Sequence, residues 1–145
     1  MKELKIFTYK GHNRIDEIQK IGSLTDIKKG GYTVITYSGN GWHKNNITAL
    51  GIPFFETSEV HNVWKMLAAR RGDLVIEWPV GVETVLDKDG MTDKIVETRV
   101  SIESMPFHLM INTQSGYKHI LVEFNGIIKQ MLDDGTINKI IQKYY

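Results

Sequence analysis

The chain has 145 residues, 41% of them hydrophobic and 24% charged, the makeup of one ordinary globular domain with apolar content enough for a core. Its 18 basic and 17 acidic side chains leave a formal charge of +1 without a long run of either sign, so no field steers a polyanion and nucleic acid is not an expected partner. Zero cysteines exclude a disulfide framework, a thiolate metal site and a cysteine nucleophile, and leave the compartment open.

The opening Met1–Phe7 lacks the apolar run of a secretory signal, and no window approaches the ~20 apolar residues of a membrane span. The chain as written is expected to be soluble and unanchored. Leu4–Tyr9 alternates apolar and polar residues and predicts a strand, broken by Gly11-His12-Asn13. Ser23–Gly31 combines a capping serine, a helical turn and a double-glycine stop. Tyr32–Tyr37 is the clearest strand signal; it ends in Ser38-Gly39-Asn40-Gly41, and a helix is expected over Trp42–Leu50. Pro53–Glu56 predicts a second strand parallel to the first. Ser58 is a candidate cap for a helix whose Val60, Val63, Trp64, Leu67 and Ala68 recur at 3.6-residue spacing before a stop at Gly72.

Leu74–Trp78 is a continuous apolar run, as expected of a strand covered on both faces. Val82, Val85 and Leu86 mark another helix, closed by Gly90. Phe107–Ile111 predicts a strand. Ile120, Phe124, Ile127 and Met131 mark a long amphipathic helix ending at Asp133-Asp134-Gly135, after which Thr136 is expected to cap a last helix carrying Ile137, Ile140, Ile141 and Tyr144. Strands alternating with helices predict an α/β three-layer sandwich with a mostly parallel sheet, in which the Tyr32 and Leu74 strands are adjacent and parallel.

In such a sheet a ligand sits outside the carboxyl ends of the strands, and Ser38-Gly39-Asn40-Gly41 occupies that kind of position. Its backbone amides with the Ser38 and Asn40 side chains could hold a carboxylate, or Asn40-Gly41 could be a tight turn and nothing more. Gly39-x-Gly41 lacks the third glycine of a dinucleotide fingerprint, and no phosphate loop is present. Glu77 and Trp78, at the end of the apolar run, would bring a carboxylate and a large aromatic to the same crevice; the plainer alternative is a solvated Glu77 and a core Trp78. Trp64 is a core residue on its stripe, whereas Trp42, after a glycine turn, is expected to be exposed, which leaves Trp42 and Trp78 as ligand platforms. His12, His43, His61, His108 and His119 show no metal-ligand spacing and are expected at the surface. There is no Gly-x-Ser-x-Gly elbow, and no catalytic apparatus or cofactor motif is legible.

Four segments carry a family likeness. Leu67–Glu77, with Met66 before it, matches a "mLaaGR-Dlvi" signature, and Leu132–Tyr144 matches a "L-dGTi-kI-kkY" terminus; Ser23–Gly30 and Tyr32–Gly39 match a "sl-DLkGk" start and a "vgv--G" strand and loop. In this order they resemble the second half of the family 3 extracytoplasmic solute-binding proteins, the type II periplasmic binding proteins of polar amino-acid transport. The resemblance implies one lobe of a two-lobed fold: residues 1–9 as a hinge strand, 10–104 as the second lobe, and 105–145 as a returning crossover strand with C-terminal helices. It implies a small-solute binder, not an enzyme, that needs no cofactor or metal and docks on the membrane permease of an ABC transporter in the periplasm. A sensing or interaction module of a receptor, and a dehydratase-like enzyme of the same fold, are the alternatives.

The family's first-lobe arginine that binds the ligand carboxylate has no counterpart here. Trp78 stands where amino-acid binders commonly place an aspartate for the ligand's ammonium group. The ligand-binding set is therefore expected to be Ser38, Gly39, Asn40, Gly41, Trp42, Glu77 and Trp78. With no first lobe to cover, the C-terminal helices are expected to pack on the second lobe or on another copy, giving a homodimer.

Overall fold

The computed structural model describes residues 2–105 and 108–144, which fall into two compact units, Met1–Met105 and Pro106–Tyr145. The first holds one sheet built from β1 (Lys2–Tyr9), β2 (Val34–Tyr37), β3 (Phe54–Thr57), β4 (Leu74–Glu77) and β5 (Ile95–Met105), in the order β3-β2-β4-β1-β5. β2 is parallel to both β3 and β4, with Val34 opposite Phe54 and Leu74. β1 runs antiparallel to β4 and to β5, so β1 alone opposes the direction of the other four, and the mostly parallel sheet is borne out.

Period-two alternation along the central strands feeds two cores. Leu4, Ile6, Val34, Leu74 and Ile76 face one layer, made by α1 (Ile15–Ile18), α2 (Leu24–Gly30) and a helix that starts as α3 (Gly41–His43) and continues as a π-turn over Lys44–Thr48. Phe7, Ile35 and Val75 face the other, made by α4 (Val60–Ala68) and α5 (Val82–Lys88). Trp64 meets Phe7 edge-on at 5.2 Å between ring centres. Leu74, Val75 and Ile76 are all buried, as a strand covered on both faces requires. This is the three-layer sandwich expected.

The helix-end signals fare unevenly. Ser23 caps α2 by accepting from the Asp26 amide, and Gly31 closes it at φ +67°. Ser58 does not cap α4: the cap residue is Glu59, which makes no side-chain bond, although the Thr57 hydroxyl lies 3.5 Å from its amide. Nor does Gly72 stop that helix. Ala69 ends it, Arg70 takes the left-handed turn at φ +57°, and Gly72 serves close packing instead. A β-carbon there would stand 2.6 Å from Ile35 Cγ1 and 3.3 Å from the Thr33 carbonyl oxygen.

In the second unit, α6 (Ile120–Asp133) and α7 (Thr136–Tyr144) are the helices expected. The turn between them is capped from Asp134, whose Oδ1 accepts the Thr136 amide at 2.9 Å, rather than by Thr136. The strand predicted over Phe107–Ile111 is not found: 108–111 have no regular structure and Phe107 lies outside the described residues. The long strand before them is β5. Its signal was present and overlooked: Thr98 and Val100 are buried and alternate with exposed Arg99 and Ser101, whereas 107–111 drew the prediction by being more apolar.

Candidate functional site

The carboxyl ends of β2, β3 and β4 lie side by side, and each chain then turns toward a helix. After β2, Gly39 adopts φ +86° and the Asn40 amide donates to the Tyr37 carbonyl at 3.3 Å. The Asn40 side chain then caps α3, its Oδ1 accepting the His43 amide at 3.0 Å. So the tight turn ends and the helix starts at one residue, Asn40. After β4, Glu77 Oε1 accepts the amide of Trp78 at 3.0 Å, folding the carboxylate back on its own backbone.

Of the seven residues expected at the site, Asn40, Trp42, Glu77 and Trp78 line one cavity of about 70 Å³, closed by Tyr37, Leu4 and Ile76. Gly39 and Gly41 lie on the other side of the loop and line, with Asn40, a separate cavity of about 310 Å³ that also holds Lys44, Thr48 and Glu56. Ser38 lines neither; its hydroxyl donates to Glu56 Oε1 at 2.7 Å. Trp42 is half-buried against the first core rather than exposed, and so is Trp78.

Tyr37, Glu77 and Trp78 also form one end of a third cavity, of about 350 Å³, whose remaining walls come from α4, α5 and the loop between β4 and α5. Burial pushes the Glu77 carboxyl above the usual carboxylate range, against the lowering effect of the Trp78 amide. Burial also raises the Tyr37 phenol, and the Glu77 charge adds to it.

Sequence reasoning overlooked Tyr37 and Glu56. The signal for Glu56 was present. It stands opposite Thr36 in the parallel β2–β3 register, so the rule that singled out the ends of β2 and β4 applies to the end of β3 as well.

The histidines differ from expectation. His61, His108 and His119 are exposed, but His12 and His43 are each only 4% exposed. His43 packs edge-on against Phe54, with ring centres 4.8 Å apart. Its Nε2 is buried with no hydrogen-bond partner among the described residues. Desolvation lowers its pKa, opposed by the charge of Glu56. His12 belongs to a network at the opposite end of the sheet, where Asp73 Oδ1 lies 3.1 Å from its Nε2. Among the described residues no group of three or more His, Asp or Glu side chains could hold a metal ion.

No protein-family model and no curated protein sequence matches the chain. Solved structures do. An ancestral arginine-binding protein bound to glutamine is similar over all of this chain and 60% of its own, at 20% identity and a TM-score of 0.66. The chain has the fold of one lobe of a type II periplasmic binding protein. The same likeness extends to the probable amino-acid ABC transporter extracellular-binding protein ytmK from Bacillus subtilis (22% identity, TM-score 0.66, 99% of this chain and 58% of that one). It extends also to the GluR0 ligand-binding core from Nostoc punctiforme in complex with L-glutamate (17%, 0.66, 99% and 61%). The resemblance to the family 3 solute-binding proteins is thus borne out at the level of the fold, and the chain spans about three fifths of the length of these structures.

Proposed function

We propose that this chain is a small-solute-binding part of an ABC-type uptake system, a binder rather than an enzyme, whose ligand is a polar amino acid or a related small molecule. The observation that carries the reading is the meeting of Asn40, Trp42, Glu77 and Trp78 around one cavity at the ends of two adjacent parallel strands. That is the place where a sheet of this kind receives a ligand. An anionic group of the solute would rest on the amides of 39–41, and a cationic or flat apolar part on Glu77 and Trp78. Ser38 joins this set only by giving up its bond to Glu56.

The wider setting follows the same reading: an extracytoplasmic location, a membrane permease as partner, and no cofactor. No helix among the described residues is long and apolar enough to cross a membrane. α6 buries no residue fully, and Val122, Ile127, Leu132, Ile140 and Ile141 are exposed on the two C-terminal helices, which supports a homodimer through them. A ligand-sensing role is the second reading, favoured by the likeness to a receptor's ligand-binding core.

Held by this lobe alone, a ligand would stay largely wet, and binding to the chain as titrated is expected at roughly millimolar strength, about −4 kcal/mol. Titration of the chain with amino acids, polyamines and organic acids, followed by amide NMR shifts, is the test. Saturable shifts clustered at 38–42 and 77–78 are expected. Saturation elsewhere, or with no solute in the panel, overturns the assignment.

A further inference from the structure

Glu77 stands between two cavities of very different size. The 70 Å³ space on the Trp42 side has room for only a few atoms, whereas the 350 Å³ cleft on the other side lies within the range of small-molecule sites. Of the two, only the cleft between α4 and α5 has room to take the body of a ligand whose end touches Glu77 out of water.

The cleft selects by chemistry. Its walls are Val60, Val63 and Trp64 from α4 and Val82 and Val85 from α5, and its polar side chains are Glu77 and Tyr37, both at one end. No lysine or arginine lines it, so a carboxylate on the ligand would enter apolar walls unpaired and meet the charge of Glu77. Among the described residues Glu77 has no ion pair with a basic side chain. A half-buried carboxylate with no cation beside it, flanked by Tyr37, Trp64 and Trp78, offers an ammonium group both charge and aromatic faces. Val60 is 50% and Val80 36% exposed, which places the cleft's mouth at the first turn of α4 and the loop before α5.

We propose that the cleft between α4 and α5 binds the hydrophobic body of a monoamine whose ammonium group sits on Glu77. This rests on the reading that the end of β4 carries the ligand; in place of an anionic group on the 39–41 amides it gives the solute a cation with an apolar body and no carboxylate.

Three probes with the same body separate the possibilities: 2-phenylethylamine, 2-phenylethanol and 3-phenylpropionate, titrated into the full chain with amide NMR readout. The amine is expected to shift Tyr37, Val60, Val63, Val82 and Val85 and to bind roughly tenfold tighter than the alcohol, with the carboxylate weakest. Glu77→Gln should bring the amine and the alcohol level. Val60→Lys, at a half-exposed position that the fold tolerates, should weaken the amine by setting a like charge at the mouth. Equal binding of the amine and the alcohol to the native chain, a preference for the carboxylate, or an unaltered amine affinity in Val60→Lys overturns the proposal. If amino acids saturate shifts at 38–42 and 77–78 while the cleft stays silent to all three probes, the proposal fails and the solute-binding reading stands. If no probe and no solute binds, both fail.

Discussion

Replacing Asp73 with alanine should cost the first unit about 2–5 kcal/mol, because one carboxylate ties together three separate segments. Its Oδ2 accepts the Thr33 amide at 2.7 Å and its Oδ1 faces His12 Nε2 at 3.1 Å; its own carbonyl accepts the Thr8 hydroxyl at 2.8 Å. The His12 ring cannot adapt to the loss. The Arg14 amide donates to His12 Nδ1 at 3.0 Å, so the ring proton sits on Nε2 and points at Asp73. Moving that proton to Nδ1 would break the second bond to mend the first. Removing the carboxylate therefore strands two donors, at about 1–3 kcal/mol each when buried. His12, 4% exposed, belongs at the upper end, and the half-buried Thr33, which water can reach, at the lower. Against a typical domain stability of about 5–15 kcal/mol this is a large fraction. The assay is urea unfolding at neutral pH followed by the fluorescence of the buried Trp64, with wild-type and variant data extrapolated at a common slope. Asp73→Asn keeps one oxygen for Thr33 but turns an amide N–H toward His12, and should lose most of that amount. An Asp73→Ala variant within about 0.5 kcal/mol of wild type would refute the reasoning, since that is the size of an ordinary surface change.

Arg70→Gly should be neutral to stabilising by up to about 1 kcal/mol in the same assay: it relieves a left-handed residue at φ +57°, partly offset by the lost stacking of the guanidinium on Tyr9, 5.3 Å from the ring centre. Gly72→Ala should destabilise by about 1–3 kcal/mol, because the added carbon meets Ile35 at 2.6 Å with backbone behind it. Glu56→Gln removes an exposed negative charge beside the 39–41 loop and loosens its hold on Ser38; an anionic solute titrated by NMR should then bind about 1.5–5-fold tighter, the worth of an exposed charge contact. The raised Glu77 pKa means that the folded chain holds a proton which the unfolded chain has released above the ordinary carboxylate value. Stability from this group is thus present at about pH 4 and lost as pH rises through the raised value, so Glu77→Gln should gain on wild type in urea midpoint between about pH 4 and pH 7.

Much of the fold could be read from the chain because its central strands and helices obey the simplest periodicities. Leu74-Val75-Ile76 is apolar at every position and proves to be covered on both faces; Val63, Trp64 and Leu67 recur helically and are buried. Where side-chain identity depends on a distant partner, the reading went astray. Gly72 resembles a helix stop, but what demands a glycine is Ile35 on another strand. His12 and His43 look like solvated polar residues until Asp73, far along the chain, and Phe54 are placed against them. The site was half legible for the same reason. The ends of β2 and β4 follow from strand order, whereas the division of the seven residues between two sides of the 38–41 loop depends on how Asn40 caps α3.

The signature around residue 70 can be resolved into physical roles. In "mLaaGR-Dlvi" the glycine stands where this chain has Arg70, the residue that takes the left-handed turn, a conformation glycine adopts without strain. The aspartate coincides with Asp73, whose carboxylate joins the β1–α1 turn to the start of β2. These two positions therefore match the signature for reasons of folding, and they lie at the opposite end of the sheet from the 38–41 loop. On the proposed reading the ligand is received at the other end of the sheet. There the carboxylates of Glu56 and Glu77 flank the loop on its two sides, and Lys44 lines only the Glu56 side. An anion placed on the 39–41 amides must sit between two negative charges with one exposed lysine in compensation, while a cation at Glu77 meets one carboxylate and aromatic rings in partly desolvated surroundings, where Coulomb energies are less screened than at the surface. On the proposed reading, that balance makes the Glu77 side the stronger anchor, and a solute's positive group should contribute more to binding than its negative one.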